Sequence, residues 1–142
     1  MTLYAETSAV IAWLLAEPKA ELVAGLLDKA DVVLCSELTV TECERVLLRC
    51  LVDERIRAEE AQQLRLRLHR TAEHWTRMSL SAPVMERAGR RFPVEPVRSL
   101  DAIHLASAIR LSNSVPGMQM LSLDSRIREN ALALGFEVVP VD

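Results

Sequence analysis

Residues 32–51 read VVLCSELTVTECERVLLRCL. The first four form an uninterrupted apolar run, short enough for one strand and apolar enough to be buried on both faces. From Ser36 onward the pattern changes. Val40, Cys43, Val46, Leu47, Cys50 and Leu51 recur every three or four residues, which places them on one face of a helix. A fully apolar strand feeding straight into an amphipathic helix is the building block of a parallel sheet covered by helices.

The same alternation extends outward in both directions. Residues 3–5 suit a short strand and residues 8–16 a helix with Val10, Ile11, Leu14 and Leu15 on its apolar face. Pro18 suits the start of a following helix that would turn Leu22, Val23, Leu26 and Leu27 inward. Residues 58–72 contain LRLRL, which alternates like a strand. The wider spacing of Ala61, Leu64, Leu68 and Ala72 and the near absence of β-branched residues favour a helix, leaving Leu66 on its outer face as an interaction surface. Strands are expected at 75–80, 120–123 and 136–141, and helices at 83–91, 100–111 and 125–134. PVEP marks a loop, and Gly135 suits the end of the last helix. The expectation is one α/β domain over residues 1–142, with a mostly parallel sheet flanked by helices.

Composition narrows the chemistry. Half the residues are apolar and about a quarter are charged, the balance of a globular chain. Only 4 residues are glycine, and neither GxGxxG nor GxxxxGK[ST] occurs, so the usual phosphate-cradling loops are missing. No apolar run reaches the roughly 18–20 residues of a membrane span. The N-terminal apolar stretch has no basic region before it and is interrupted by Glu6, which argues against a secretory signal. A cytoplasmic location is the resulting expectation. Cys35, Cys43 and Cys50 are odd in number and form no CxxC, so they are expected as buried thiols. The net charge of −3 is not the basic footprint of most nucleic-acid binders. The basic residues are nonetheless almost all arginine and cluster between Arg45 and Arg98, and arginine suits bidentate phosphate contacts.

Four acids fall at equivalent ends of the expected units. Glu6 follows the first strand, Glu42 lies one turn into the helix after the second, Asp101 opens the apolar helix, and Asp124 follows the LSL strand. Each has a local explanation. Thr39 and Glu42 have the spacing of a capping box, Asp101 sits where a helix dipole favours negative charge, and Asp124 is a good N-cap. Glutamate is not a preferred N-cap, so Glu6 fits that explanation least well. In a parallel sheet all four converge on one edge, where ligands collect at the carboxyl ends of strands. Clustered carboxylates repel unless protonated or neutralised by a cation. Magnesium and manganese prefer such oxygen ligands and serve in-line phosphodiester hydrolysis without a protein nucleophile. His69 and His74 miss a common helical face, and His104, one turn after Asp101, suits a core or orienting role. No GxSxG or strand-end cysteine beside a base offers an alternative nucleophile.

The segments YAETSAVIAW, SELTVTECERVL, RSLDAIHLASAI and LSLDSRIRENALALGFEVV resemble the PIN-domain ribonucleases, and among them the compact VapC-type toxins of bacterial toxin–antitoxin pairs. RSLDAIHLASA is the most specific of these, and residues 52–92 match least. The resemblance implies a central sheet of about five strands and a magnesium- or manganese-dependent endoribonuclease. It also implies a homodimer, held inactive by an antitoxin across its active-site groove. Its metal ligands would be Glu6, Glu42, Asp101 and Asp124, with Thr7, Ser8 and Ser122 orienting carboxylates or waters. Arg45, Arg49, Arg98 and Arg126 lie near these motifs and are candidates for RNA phosphate contacts. Glu6 departs from the family's usual aspartate, lengthening the arm by about 1.5 Å. That departure keeps open a second expectation, a catalytically weakened PIN-like module that mainly binds an antitoxin or RNA. A haloacid-dehalogenase-type phosphatase would need an aspartate nucleophile where the chain has ETS.

Overall fold

A computed structural model describes residues 1–141; Asp142, the last residue of the expected domain, lies outside the described residues. The apolar run after Asp31 forms β2 (Val32–Ser36) and leads into α3 (Leu38–Val52). The N-terminal pair is β1 (Thr2–Ala5) and α1 (Thr7–Leu14), followed by α2 (Ala20–Lys29). Then come α4 (Ala58–Ala72), β3 (Thr76–Met78), α5 (Ala82–Ala88), α6 (Ser99–Ser112), β4 (Gln119–Leu121), α7 (Ser125–Ala133) and β5 (Val138–Val139).

The five strands form one sheet in the order β3-β2-β1-β4-β5, with every pairing parallel. Strand order reverses beside β1. The chain moves from β1 to one side through β2 and β3, then returns to the other side through β4 and β5. In open α/β sheets that reversal opens a crevice at the carboxyl ends of the strands. β1 is the central strand, and Leu3, Tyr4 and Ala5 are fully buried. Leu3 and Ala5 face the layer that includes Val10, Leu14, Val23, Leu47 and Leu68, whereas Tyr4 faces the layer of Leu105, Met120 and Ile127. Each such leucine contributes about 1.5–3 kcal/mol through burial, and the two apolar layers explain why β1 carries no polar alternation.

Most expected elements form, with shorter ends. The 75–80 and 136–141 strands contract to Thr76–Met78 and Val138–Val139, because only those residues pair with a neighbouring strand. The 58–72 segment is helical throughout, and Leu66 is 49% exposed. Arg67 lies 4.4 Å over the Trp13 ring, a cation–π contact that joins α4 to α1. Gly135 adopts φ +93° just after α7, the left-handed conformation that ends a helix at low steric cost. All three cysteines are buried, free thiols.

Two local expectations fail. Leu22 is 56% exposed rather than inward, because α2 contributes Val23 to the core and only edge contacts from Leu26 and Leu27. Thr39 does not cap α3. The helix starts at Leu38, its preceding residue Glu37 makes no side-chain cap, and Leu38 N–H donates to Ser36 Oγ at 3.1 Å. Thr39 is instead buried inside the first turn, which frees Glu42 for other partners. No helix among the described residues is long and apolar enough to cross a membrane.

Candidate active site

All four acids sit at the carboxyl edge of the sheet. Glu6 follows β1 directly, and its N–H extends the ladder by donating to Leu121 O at 2.9 Å. Glu42 lies in the first turns of α3, Asp101 in the first turn of α6, and Asp124 immediately before α7. The parallel sheet therefore brings the four together as the alternation of strands and helices implies.

Their environments differ sharply. Glu42 is held by two donors on one oxygen: His104 Nε2 lies 2.5 Å from Oε1, and Thr7 Oγ1 donates to the same atom at 2.7 Å. Burial opposes the Glu42 charge, but the His104 hydrogen bond, the His104 charge and the Thr7 bond outweigh it, so its carboxyl sits below the usual range. His104 is 1% exposed, and its other nitrogen, Nδ1, lies 3.1 Å from Tyr4 OH. Burial disfavours the imidazolium, but the Glu42 hydrogen bond and the fields of Glu6, Glu42 and Asp101 raise the His104 pKa above its ordinary value. His104 thus orients Glu42 from the core, the role expected of it.

Asp101 is the least satisfied acid. Its Oδ2 is buried without a hydrogen-bond donor, and Arg98 Nε stands off at 3.9 Å. Burial and the neighbouring Asp124 and Glu42 charges push its pKa up against the pull of Arg98 and His104. Asp124 caps α7, with Oδ1 accepting from Arg126 N–H at 2.9 Å and Ile127 N–H at 3.1 Å.

Glu6 is 4% exposed and engaged through both oxygens. Oε1 accepts from Ser8 N–H at 3.2 Å, which makes Glu6 the N-cap of α1 despite glutamate's poor record in that position. Oε2 accepts from Ser8 Oγ at 2.5 Å and Ser122 Oγ at 2.7 Å. Burial raises the Glu6 pKa against the His104 field and these hydrogen bonds. Thr7, Ser8 and Ser122 therefore all touch acids of the site.

An all-oxygen set fits a hard divalent cation in kind, and the orphaned Asp101 Oδ2 beside other carboxylates is the feature a cation would relieve. Among the described residues, no three His, Cys, Asp or Glu side chains stand close enough to enclose an ion as they are posed. A closed protein cage is not what magnesium needs, since it typically uses one or two carboxylates and keeps several waters. Glu42, Asp101 and Asp124 fit that looser requirement. Glu6 differs from them in that both of its oxygens already accept hydrogen bonds.

The arginines separate by position. Arg98 and Arg126 are exposed beside Asp101 and Asp124. Arg45 is exposed one turn beyond Glu42 and lines the groove between α3 and α4. Arg49 is exposed about 10 Å farther along α3 than Glu42. Sequence periodicity did not reveal the clamp that Asn130 makes on the loop before α6. Its amide oxygen accepts from Val94 N–H at 2.9 Å and its amide nitrogen donates to Val94 O at 3.0 Å. A buried asparagine on an otherwise apolar helix face was the available signal.

Comparison with known proteins agrees with this fold. The model of the PIN domain matches residues 3–131. Ribonuclease VapC35 of Mycobacterium tuberculosis is 30% identical over 139 residues, covering 96% of this chain and 95% of that protein. Ribonuclease VapC46 of the same organism is 28% identical over 137 residues, with coverage of 96% and 95%. Among solved structures, FitAB bound to an IR36 DNA fragment aligns with a TM-score of 0.68 at 17% identity, covering 98% of this chain and 94% of that one, which supports the fold. The chain belongs to the PIN-domain family and, within it, to the VapC-type ribonucleases.

Proposed function

We propose that this chain is the toxin of a toxin–antitoxin pair and hydrolyses RNA phosphodiester bonds with a divalent metal, magnesium or manganese. The observation that carries the proposal is the gathering of Glu42, Asp101 and Asp124 at the carboxyl edge, where Asp101 Oδ2 is buried without a donor. Near-full-length likeness to VapC ribonucleases supports the same activity. A bound divalent cation supplies activation of water and neutralisation of charge on the phosphate and the leaving oxygen.

The chain's own residues do the rest. Glu42, Asp101 and Asp124 would hold the ion. His104 and Thr7 hold Glu42 in one rotamer, which removes a reorganisation cost from ligand binding. Arg98 and Arg126 would receive phosphates flanking the scissile bond, with Arg45 and Arg49 extending the track along α3. Single-stranded or looped RNA is the favoured substrate because its bases are accessible. The groove of about 880 Å³ between α3 and α4, lined by Leu48, Leu51 and Leu66, would serve contacts with the antitoxin or with a second copy in a homodimer.

The engagement of both Glu6 oxygens favours one alternative, a weakened nuclease that mainly binds antitoxin or RNA. Incubating the purified chain with end-labelled single-stranded RNA in manganese, in magnesium and in chelator separates the two. Cleavage that requires either metal supports the nuclease. Retention of RNA without cleavage in any condition supports the binding module.

A further inference from the structure

Glu6, Ser8 and Ser122 form a three-residue hydrogen-bonded junction, in which the two hydroxyl oxygens also lie 3.2 Å from each other. A hydroxyl has one proton to donate and lone pairs to accept with. Ser8 Oγ and Ser122 Oγ both donate to Glu6 Oε2, at 2.5 and 2.7 Å. Their lone pairs are thereby turned toward the chain leaving β4. Ser8 Oγ accepts from Leu123 N–H at 2.9 Å and Asp124 N–H at 3.2 Å, and Ser122 Oγ accepts from Asp124 N–H at 3.1 Å. The carboxylate thus sets two hydroxyls, and the hydroxyls set the backbone that carries Asp124.

We propose that Glu6 is a positioning residue that holds Asp124 in place through Ser8 and Ser122, and is not itself a ligand of the metal. The inference rests on the metal-site reading above and reassigns one of its four expected acids. The longer side chain has a geometric use here. Glu6 stands at the end of β1 and reaches across to Ser122 at the end of β4, a span that an aspartate, shorter by about 1.5 Å, would leave open. The same hydrogen bonds leave no oxygen of Glu6 unengaged, unlike Asp101 Oδ2.

Calorimetric Mn²⁺ titration of the wild type, Glu6→Gln, Glu6→Ala and Ser122→Ala tests the assignment. A ligand loses its charge equally in the glutamine and alanine variants. A positioning acceptor is partly rescued by glutamine, whose amide oxygen can still receive both hydroxyls while its NH2 group forgoes the bond from Ser8 N–H. The expected result is a loss of about 10–100-fold for Glu6→Ala, and smaller losses for Ser122→Ala and for Glu6→Gln. A fall in Glu6→Gln as deep as in Glu6→Ala overturns the proposal. Amide hydrogen exchange at Leu123 and Asp124 in the metal-free proteins gives a second readout that does not depend on ion binding. Protection lost in Glu6→Ala or Ser122→Ala and kept in Glu6→Gln supports the positioning role, even if the wild type binds no Mn²⁺ and the metal-site reading falls. Unchanged protection in the alanine variants sinks it.

Discussion

His104 uses both ring nitrogens inside the protein, one toward Glu42 and one toward Tyr4. Removing the imidazole leaves Glu42 partly buried without its main partner, and truncating one member of a buried ion pair costs about 3–5 kcal/mol. His104→Ala should therefore lower the denaturant midpoint substantially while the slope is unchanged. The pair also sets a pH dependence. The raised His104 pKa means that its stabilisation is fully present below the ordinary imidazole range and is lost as pH rises through the folded-state value. The lowered Glu42 pKa adds stability above the carboxylate range, lost as pH falls through its own folded-state value. Thermal unfolding of the metal-free protein should show stability declining as pH rises past the ordinary imidazole range, and His104→Gln should flatten that decline. Asp101 has the opposite logic. Its raised pKa makes its ionised form unfavourable in the fold, so the metal-free protein loses stability as pH rises through that value. Asp101→Asn should raise the melting temperature of the metal-free protein by a few degrees and abolish the further rise expected on adding Mn²⁺ to the wild type.

At the scale of elements, the junctions between strands and helices decide the site. The βα alternation was legible because buried parallel strands have no polar face and their helices keep a 3.6-residue period. The ends were less legible. Thr39 has the right spacing for a capping box with Glu42, yet that local option yields to longer-range partners, because Thr7 and His104 lie 35 and 62 residues from Glu42 in sequence. Spacing along a helix carries no trace of such contacts. Glu6 shows the converse, a poor N-cap by type that caps α1 because Ser8 and Ser122 fix its rotamer. The α7–loop contact was equally hidden. Asn130→Ala leaves the Val94 N–H and C=O without side-chain partners, which should cost about 1–3 kcal/mol. Increased proteolysis or hydrogen exchange confined to residues 92–98 would check that the cost is local to the entrance of α6.

The whole molecule is a five-stranded parallel sheet with its strand order reversing beside β1, so the acids from three different strand ends reach one edge without any one segment encoding the site. The four acids were identifiable in the sequence because each follows or opens an element at that edge. Which of them had unengaged oxygens was not identifiable, since that depends on hydroxyls delivered from α1 and from the end of β4 together. The acidic edge has exposed Arg98 and Arg126 beside it, so RNA affinity should fall with salt. Arg98→Ala and Arg126→Ala should each reduce the slope of log affinity against log salt by about 0.7, as expected for one phosphate contact on a single strand. The central claim is that this edge cleaves RNA through a metal held by Asp101 and its neighbours. The most direct measurement is the cleavage rate of single-stranded RNA by wild type and by Asp101→Asn at saturating Mn²⁺, with folding of both verified by circular dichroism. The account predicts metal-dependent cleavage by the wild type and a drop of about a hundredfold or more in the variant. Cleavage by Asp101→Asn at the wild-type rate, or wild-type cleavage that persists in chelator, would contradict it.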